Sequence, residues 1–445
     1  MTVSSMDWIE MHNMEFGECI VLGGSNRQIL MVDCGSMNSK IQETEEAVHV
    51  YLEKGILPRY EEAEGRSFLL THYHRDHISG LFYIIQADPY YFDRIYLPTA
   101  PVNNEGRALL LEIAVYIFTF WGRQSEYFQT SIAPLRMFEN LRQLAGSESI
   151  YTLGRGSTFL FDDVEYDVLW PAWEQYPFSE LLRDIVEELD ICMSSPYSGR
   201  KAAKFLRIKE EFCQEYVYCC ELCSEETRGQ PAEIEESMDR LEDYLGRLEE
   251  LSEDLQKLPA SQDVIEVLSR PSVRNEYSQQ QNTASVVFHN NRRQAASYDD
   301  ILMTGDATPE TFDAIAEDLY DGYYIFKAPH HGTSGSWSHI FQDIAKSHIL
   351  ISNGDYHAAG MICGEYQEEE GIKHCTNRYA CAWFVENGYC CNHMCECFEY
   401  NERGAAPEKC PKCKWRTRLA DCGIYVVSGQ MERGCLCDSL EEENW

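Results

Sequence analysis

The feature that most constrains this chain is a cluster of metal-binding residue types immediately after a short apolar run. Residues 68–70 are all apolar, as at the end of a strand that is buried on both faces. Three histidines and one aspartate follow within six positions: His72, His74, Asp76 and His77. Side chains at a strand end can point at one centre, and imidazoles with a carboxylate suit zinc or a similar first-row cation. The pattern predicts that His72 and His74 share one metal ion, while Asp76 and His77 reach a neighbouring one.

Three later segments also pass from an apolar strand into metal-binding side chains. They are 301–306, ending in Asp306; 324–332, containing His330 and His331; and 348–357, ending in His357. Ligands gathered at strand ends are typical of a hydrolytic metal site. Each segment means little by itself, but their combination disfavours the alternative of a surface histidine cluster without a ligand. Gly80, after the first cluster, indicates a turn into a helix that starts near Leu81.

The charge of the chain limits its partners. The 445 residues carry a formal net charge of −37, which opposes long-range attraction of long nucleic acids or anionic membranes. Bound metal ions can invert the local charge, so a phosphate-containing substrate stays possible. The N-terminus has no basic, apolar leader, and the most apolar segment, 108–121, is too short for a membrane span and contains Glu112. We expect a cytoplasmic protein without membrane contact.

The order of strands and helices predicts a layered α/β core with an insertion. The first half of this core is expected over 1–175 and the second half over 281–358, resuming with a strand at 282–288. Between them, 176–280 carries apolar residues at helical spacing, with mostly acidic residues between. The apolar stripe consists of Ile234, Met238, Leu241, Leu245, Leu248, Leu251, Leu255 and Leu258. We interpret the insertion as an antiparallel, coiled-coil-like helical hairpin, and favour packing within the chain over dimerisation.

The cysteines indicate a separate C-terminal module over 359–445. Of 19 cysteines, twelve lie after residue 359, and the lack of a secretory leader argues for metal sites and reduced thiols. Cys410 and Cys413 have the spacing of a zinc half-site, and Cys395 and Cys397 are taken as their partners from the cluster at 390–397. The tail is predicted to fold around one or two structural Zn2+ ions. Cys220 and Cys223 have similar spacing but no second pair, which favours buried thiols.

The ordered motifs resemble the metallo-β-lactamase superfamily. Within it, the chain is similar to the hydrolase domain of bacterial DNA-uptake competence channel proteins and their soluble relatives, over about 10–175 and 280–358. The matching segments are Thr71-His-Tyr-His-Arg-Asp-His-Ile-Ser-Gly80, Val168-Leu-Trp-Pro171, Asn282-Thr-Ala-Ser285, Leu302-Met-Thr-Gly-Asp306 and Lys327-Ala-Pro-His-His-Gly332. The resemblance implies an α+β fold, the four-layer αβ/βα sandwich, with two Zn2+ or Mn2+ ions. Without a membrane channel segment, it does not imply the channel function.

The resemblance also implies a ligand set. The first metal would be held by His72 and His74, the second by Asp76, His77 and His330, with Asp306 bridging both. A hydroxide between the two ions would attack the substrate. The candidate catalytic residues are Asp76, His357 and Lys327. His357 would donate a proton to the leaving group or bind substrate, and Lys327 would bind an anionic group.

Three assignments around this set stay open at the level of sequence. His331 is expected to support the site, although sequence cannot decide which of His330 and His331 is the ligand. Asp33 follows a strand and supports a ligand or caps a turn. Many superfamily members supply a third histidine to the first metal. Here only His289 lies in the relevant interval, and we expect it at the surface rather than at the metal.

The expected function is a metal-dependent hydrolase that cleaves a phosphodiester or phosphate ester. Two metal ions suit in-line attack at phosphorus. The alternatives are a carboxylic ester, thioester or lactam hydrolase, and a non-catalytic scaffold with a vestigial metal site. The helical insertion or the tail is expected to bind a protein partner, as in a partner-dependent component of a bacterial multi-protein system.

Overall fold

The computed structural model describes residues 8–12, 14, 16–24, 26–37, 52–121, 132–194, 199–292, 300–353, 362–376 and 424–426. Within these residues the protein is a mixed α/β structure with two seven-stranded mixed sheets and eleven α-helices. His357 and the four tail cysteines predicted to bind zinc, Cys395, Cys397, Cys410 and Cys413, lie outside the described residues.

The first sheet contains the strands that precede the histidine motif. Its strands are β1 (Trp8–Met11), β2 (Ile20–Gly23), β3 (Gln28–Val32), β4 (Gly65–Leu69), β5 (Arg94–Pro98), β6 (Ile150–Leu153) and β14 (Ile424–Val426). Their order is β14-β1-β2-β3-β4-β5-β6. Strands β2 and β3 form an antiparallel pair in which Ile20 lies opposite Val32, whereas β3 and β4 are parallel. Both strands that lead to Asp33 and His72 therefore run in the same direction.

The second sheet contains the strands that precede the later motifs. Its strands are β7 (Thr158–Phe161), β8 (Val164–Trp170), β9 (Val287–Asn290), β10 (Ile301–Met303), β11 (Gly322–Lys327), β12 (Ala345–Ile351) and β13 (Ile372–Cys375). Their order is β13-β12-β11-β10-β9-β8-β7. The pairs from β7 to β10 are antiparallel, and those from β10 to β13 are parallel. Strands β10, β11 and β12 consequently end at the same edge.

The α-helices are distributed over two compact units. They are α1 (Leu57–Arg59), α2 (Arg75–Ala87), α3 (Leu109–Phe120), α4 (Ala133–Ala145), α5 (Glu180–Met193), α6 (Gly199–Cys223), α7 (Pro231–Leu255), α8 (Pro259–Ser269), α9 (Pro271–Thr283), α10 (Pro309–Ile315) and α11 (Gly364–Glu368). One unit comprises Met1–Ile95, Thr158–Trp170 and Ser285–Trp445, and the other comprises Tyr96–Ser157 and Pro171–Ala284. No helix among the described residues is both long enough and apolar enough to span a membrane.

Helices α6 and α7 form the predicted antiparallel hairpin, within the unit that comprises Tyr96–Ser157 and Pro171–Ala284. Ion pairs join Glu215 to Arg240 and Lys201 to Asp254, so residue numbers fall along one helix as they rise along the other. The apolar stripe from Ile234 to Leu255 is buried within the chain, which confirms the preference for internal packing. Its last predicted member, Leu258, lies beyond the end of α7 and is half-buried. Cys220 and Cys223 are buried free thiols, as expected.

Two predicted element boundaries are wrong. The helix after the histidine motif begins at Arg75 rather than near Leu81, so Asp76 and His77 lie in its first turn. An acidic side chain there is favoured by the partial positive charge of the helix N-terminus. The strand predicted at 282–288 begins at Val287, because α9 continues to Thr283. The intervening Ser285 instead accepts a hydrogen bond from the backbone N–H of Asp306 at 3.2 Å.

Candidate metal centre

The ends of parallel strands bring the motif residues together. Asp33 follows β3 and His72 follows β4, while Asp306, His331 and Ser352 follow β10, β11 and β12. The backbone N–H of Val286 donates to the carbonyl of Thr71 at 2.9 Å, which joins the two groups of strand ends. All of these residues belong to one compact unit. The convergence expected from sequence is therefore present.

Gly305 allows the closest of these approaches. It adopts φ +50°, and a Cβ atom there would lie 2.8 Å from Cβ of Thr71 and 3.0 Å from Cβ of Ser285. A side chain would clash with both, so only glycine can deliver Asp306 this close to the histidine loop. Gly305 therefore determines how closely the segment that carries Asp306 approaches Thr71 and Ser285.

Four buried side chains form the centre of the site. Asp76, His77, Asp306 and His331 can each direct one ligand atom so that all four lie within 4.8 Å of one another. His77 Nε2 lies 3.3 Å from Asp306 Oδ2. His331 Nε2 lies 3.3 Å from Asp76 Oδ2 and 3.5 Å from Asp306 Oδ2. Two carboxylates and two imidazoles at these distances could hold a divalent cation.

The first pair of histidines lies against this group. The ring centroids of His72 and His74 are 4.6 Å apart, and those of His72 and His77 are 4.2 Å apart. The buried atoms His72 Nε2 and Asp306 Oδ1 have no hydrogen-bond partner among the described residues. Buried polar atoms are normally satisfied, so two orphans in a cluster of ligand residues fit a metal centre.

Three imidazoles each have their Nδ1 atom at hydrogen-bond distance from a protein oxygen. His77 Nδ1 lies 2.7 Å from Asp33 Oδ2, and His331 Nδ1 lies 2.7 Å from the carbonyl oxygen of Ser352. His72 Nδ1 lies 3.1 Å from the hydroxyl of Thr71, which donates its own proton to Asp33. With a proton on each Nδ1, every Nε2 is left as the metal-facing nitrogen. This common orientation is the geometry that metal-binding histidines require.

Asp33 fixes both the histidine loop and one ligand. Besides the His77 ring, it accepts hydrogen bonds at 2.7 Å from the backbone N–H and the hydroxyl of Thr71. Its φ of 55° is uncommon for a residue other than glycine. Of the two roles left open by the sequence, the contacts favour support of a metal ligand over a simple turn cap.

The adjacent histidines His330 and His331 have different environments. His331 is fully buried in the four-residue cluster, whereas the His330 side chain is 40% exposed and its Nε2 lies 3.8 Å from Asp306 Oδ2. Both residues have positive φ, and their ring centroids lie 6.0 Å apart with the ring planes at 57° to each other. The geometry therefore favours His331 as the ligand and His330 as the neighbour, which revises the assignment made from sequence.

Burial and charge shift the acid–base properties of the cluster. Burial, followed by the nearby His77 and His74, lowers the pKa of His72 well below its ordinary value, and burial lowers the pKa of His74 to about 4. Burial would also lower the pKa of His77, but the carboxylates of Asp306 and Asp33 outweigh it and raise that pKa. Burial opposes ionisation of Asp76, yet the hydrogen bond from His331 and nearby charges lower its pKa to about 2. Asp76 and Asp306 are consequently ionised and His72 and His74 are neutral at pH 7, as metal ligands must be. The pKa values of His77 and His331 are raised, so these two imidazoles would each release a proton when a cation binds.

Lys327 is not available to bind substrate. Its side chain is fully buried, and its ammonium lies 2.6 Å from the carbonyl oxygen of Gly305 and 2.7 Å from Glu18 Oε2. Burial lowers its pKa, but Glu18 and Asp306 outweigh that effect and keep it charged. Lys327 points towards Glu18 and Asp306 inside the protein, which revises the role in anion binding expected from sequence.

Sequence reasoning missed Glu18. This carboxylate is fully buried beside the cluster, and its backbone N–H donates to the carbonyl of Asp76 at 2.9 Å. A glutamate directly before the apolar run at 19–22 was the available signal, because an ionised side chain at the start of a buried strand needs a partner.

His289 lies apart from the metal-binding cluster. Its ring Nδ1 lies 2.9 Å from the Tyr323 hydroxyl, and the ring stacks on Tyr320 with centroids 4.1 Å apart. The expectation of a surface position is wrong, since only 3% of the residue is exposed. Among the described residues, the groups able to hold a cation do not include it.

Comparisons with known proteins assign no family to this chain. No protein-family model matches the sequence, and no curated protein matches it. The function of this chain is therefore inferred from the residues of the site.

Proposed function

We propose that this protein is a metal-dependent hydrolase with the metallo-β-lactamase fold, acting on a phosphodiester or phosphate ester. The observation that carries the proposal is the buried group of Asp76, His77, Asp306 and His331, collected from separate strand ends. The two mixed sheets are compatible with the four-layer sandwich of that superfamily.

We infer two adjacent cations. Asp76, His77, Asp306 and His331 would hold one ion. His72 and His74, whose rings lie beside each other and next to His77, would hold the second together with Asp306. Zn2+ and Mn2+ both accept such nitrogen and oxygen ligands. When bound, such ions act as Lewis acids and lower the pKa of water.

The residues of the chain prepare the site for this chemistry. Asp33, Thr71 and the carbonyl of Ser352 orient the three imidazoles before any cation arrives. Asp76 and Asp306, ionised at pH 7, supply the negative charge that cations need. His330 is partly exposed beside Asp306, so it is the described histidine best placed to meet a substrate.

The proposed pair of cations favours a phosphate ester as substrate. Two adjacent cations suit in-line attack at phosphorus, because they can stabilise both the attacking and the leaving oxygen. Metal-activated water can also attack a neutral ester or lactam, so a comparison of substrates distinguishes the two classes.

Replacing Asp306 tests the proposal. Asp306→Asn keeps the shape of the side chain but removes the negative charge between the cations, so we expect loss of bound metal and at least a hundredfold lower turnover. Metal content and hydrolysis of generic phosphodiester and carboxylic ester substrates are measured on the same purified protein. Normal metal content with normal turnover in the variant would refute the two-metal mechanism. Hydrolysis of the carboxylic ester alone would refute the phosphate assignment.

A further inference from the structure

We propose that Lys327 is a positioning residue: its ammonium, held by Glu18, fixes the Gly305–Asp306 segment and replaces a third metal cation behind the centre. The inference rests on the proposed metal-dependent function and identifies what orients its central carboxylate.

The contacts of the ammonium point to this role. Nζ of Lys327 donates to the carbonyl of Gly305 at 2.6 Å and lies 3.6 Å from Asp306 Oδ1. Because that carbonyl belongs to the peptide that joins Gly305 to Asp306, holding it limits the direction in which the carboxylate leaves the strand. Gly305 has φ +50° and no side chain of its own to restrain the turn. The lysine adds a charged restraint to the hydrogen bonds that this peptide makes with the Ser285 hydroxyl and the His330 backbone N–H.

A metal ion at the back of the site is the competing interpretation. Glu18, Asp33 and His77 can bring three ligand atoms within 4.8 Å of one another, as at a cation site. However, Asp33 already accepts hydrogen bonds from His77 and Thr71, and Lys327 Nζ lies 2.7 Å from Glu18 Oε2. The ammonium therefore already pairs with Glu18, one of the three ligands that such a cation would need, and its positive charge is part of the chain.

A purely structural ion pair would differ from a positioning residue in its effect on the bound metal, not in its effect on stability. Removing one partner of a buried pair destabilises a protein strongly, while replacing both by neutral groups of similar size is often tolerated. Stability alone thus cannot distinguish the two roles. The geometry of the bound metal can distinguish them, since loss of a positioning residue changes that geometry and loss of a purely structural ion pair does not.

The experiment compares cobalt binding in matched variants of the full-length protein. Co2+ replaces the native metal, and its visible spectrum reports ligand geometry independently of turnover. The test variants are Lys327→Met and the neutral pair Glu18→Gln with Lys327→Met. The control is Lys346→Met with Glu369→Gln, because Lys346 is also a buried lysine of this unit and donates to two carbonyls and to Glu369 at 2.8 Å.

We expect the double variant Glu18→Gln/Lys327→Met to recover the stability lost in Lys327→Met. It should nevertheless show an altered cobalt spectrum and about tenfold weaker binding of one Co2+ ion, as when other supports of metal ligands are removed. The control pair should keep the wild-type spectrum. A wild-type spectrum and wild-type affinity in the double variant would overturn the inference.

Failure of the inference and failure of the proposed function give different results. Two cobalt ions in the wild-type protein, an altered double variant and no hydrolysis of any substrate would support positioning and refute the hydrolase. Hydrolysis that persists with unchanged cobalt binding in the double variant would refute positioning alone. A wild-type protein that binds no cobalt would refute both.

Discussion

At the scale of single residues, the orientation of the imidazoles decides what this site can do. Each of His72, His77 and His331 has its Nδ1 at a protein oxygen, so each presents Nε2 to the same region. The partner oxygens come from three different places along the chain, Asp33, Thr71 and Ser352. Such support raises ligand basicity and fixes ring orientation before a cation binds.

The adjacent histidines are expected to differ on mutation. His331→Asn should weaken binding of one metal ion by at least about tenfold, since it removes a buried ligand. His330→Asn should keep the metal content and change turnover instead. Asparagine is chosen because it tolerates the positive φ at both positions. Metal titration and steady-state kinetics on both variants measure the difference, and equal metal loss in the two would contradict the assignment.

His289 should make stability depend on pH. Burial, with the Arg292 charge as a lesser cause, lowers its pKa to about 4, whereas the unfolded chain has the ordinary value of 6.5. The unfolded state therefore binds a proton more readily between these values, so the free energy of unfolding falls as pH drops from 6.5 to 4. The full effect is about 3 kcal/mol at 1.36 kcal/mol per unit of pKa.

The variant His289→Phe isolates this contribution. Phenylalanine can stack on Tyr320 but cannot titrate, so the variant should lose less stability than the wild type between pH 6.5 and 4. Denaturant unfolding at several pH values provides the measurement. Parallel pH profiles for the two proteins would show that His289 does not titrate on unfolding.

At the scale of elements, helix α2 is tied to the end of β3 through Gly80. The backbone N–H of Gly80 donates to the Cys34 carbonyl at 2.7 Å, and that of Cys34 donates to the His77 carbonyl at 2.8 Å. A Cβ atom on Gly80 would lie 2.5 Å from Cys34 Sγ and 2.7 Å from the carbonyl oxygen of Cys34. The glycine thus sets how closely the first turn of α2, with Asp76 and His77, approaches the site.

Gly80→Ala should destabilise the protein and weaken metal binding together. Alanine improves helix propensity by about 1 kcal/mol, but overpacking against a backbone typically costs about 1–3 kcal/mol, so the clash should win. Gly246→Ala in α7 is the control, because nothing lies within 4 Å of its added Cβ and only the propensity gain applies. Thermal unfolding and metal titration would disprove the steric argument if both variants were stabilised.

At the scale of the whole molecule, the zinc-binding tail stays a prediction. If it is right, the full chain holds metal in two independent places. Cys410→Ser with Cys413→Ser should then remove one tail zinc and leave the catalytic metal and turnover intact, whereas Asp306→Asn should do the reverse. Cys219→Ser with Cys223→Ser, a buried thiol pair of α6, should change neither count. Total zinc in each purified variant is the measurement, and an unchanged count in the Cys410/Cys413 variant would remove the basis for a structural zinc there.

Local patterns in the sequence determined much of this protein. The apolar stripe of α7 and the strands that end before Asp306 and His330 follow from local residue patterns, which depend on near neighbours. The residue types of the candidate metal centre were also recognisable, since His72 and Asp306 follow strands and Asp76 and His77 belong to the same short motif as His72. The starts of α2 and β9 departed from the expected boundaries.

The tertiary structure decided the roles that depend on contacts distant in sequence. Adjacent residues such as His330 and His331 are equivalent in a motif. Only folded contacts separate them, because His331 is buried with its Nδ1 at the Ser352 carbonyl whereas the His330 side chain is partly exposed. Glu18 and Lys327 are 309 positions apart, so no local pattern could show that they form an ion pair behind Asp306. Local periodicity determines which elements form, while the direction of each polar side chain depends on partners that only the folded chain brings together.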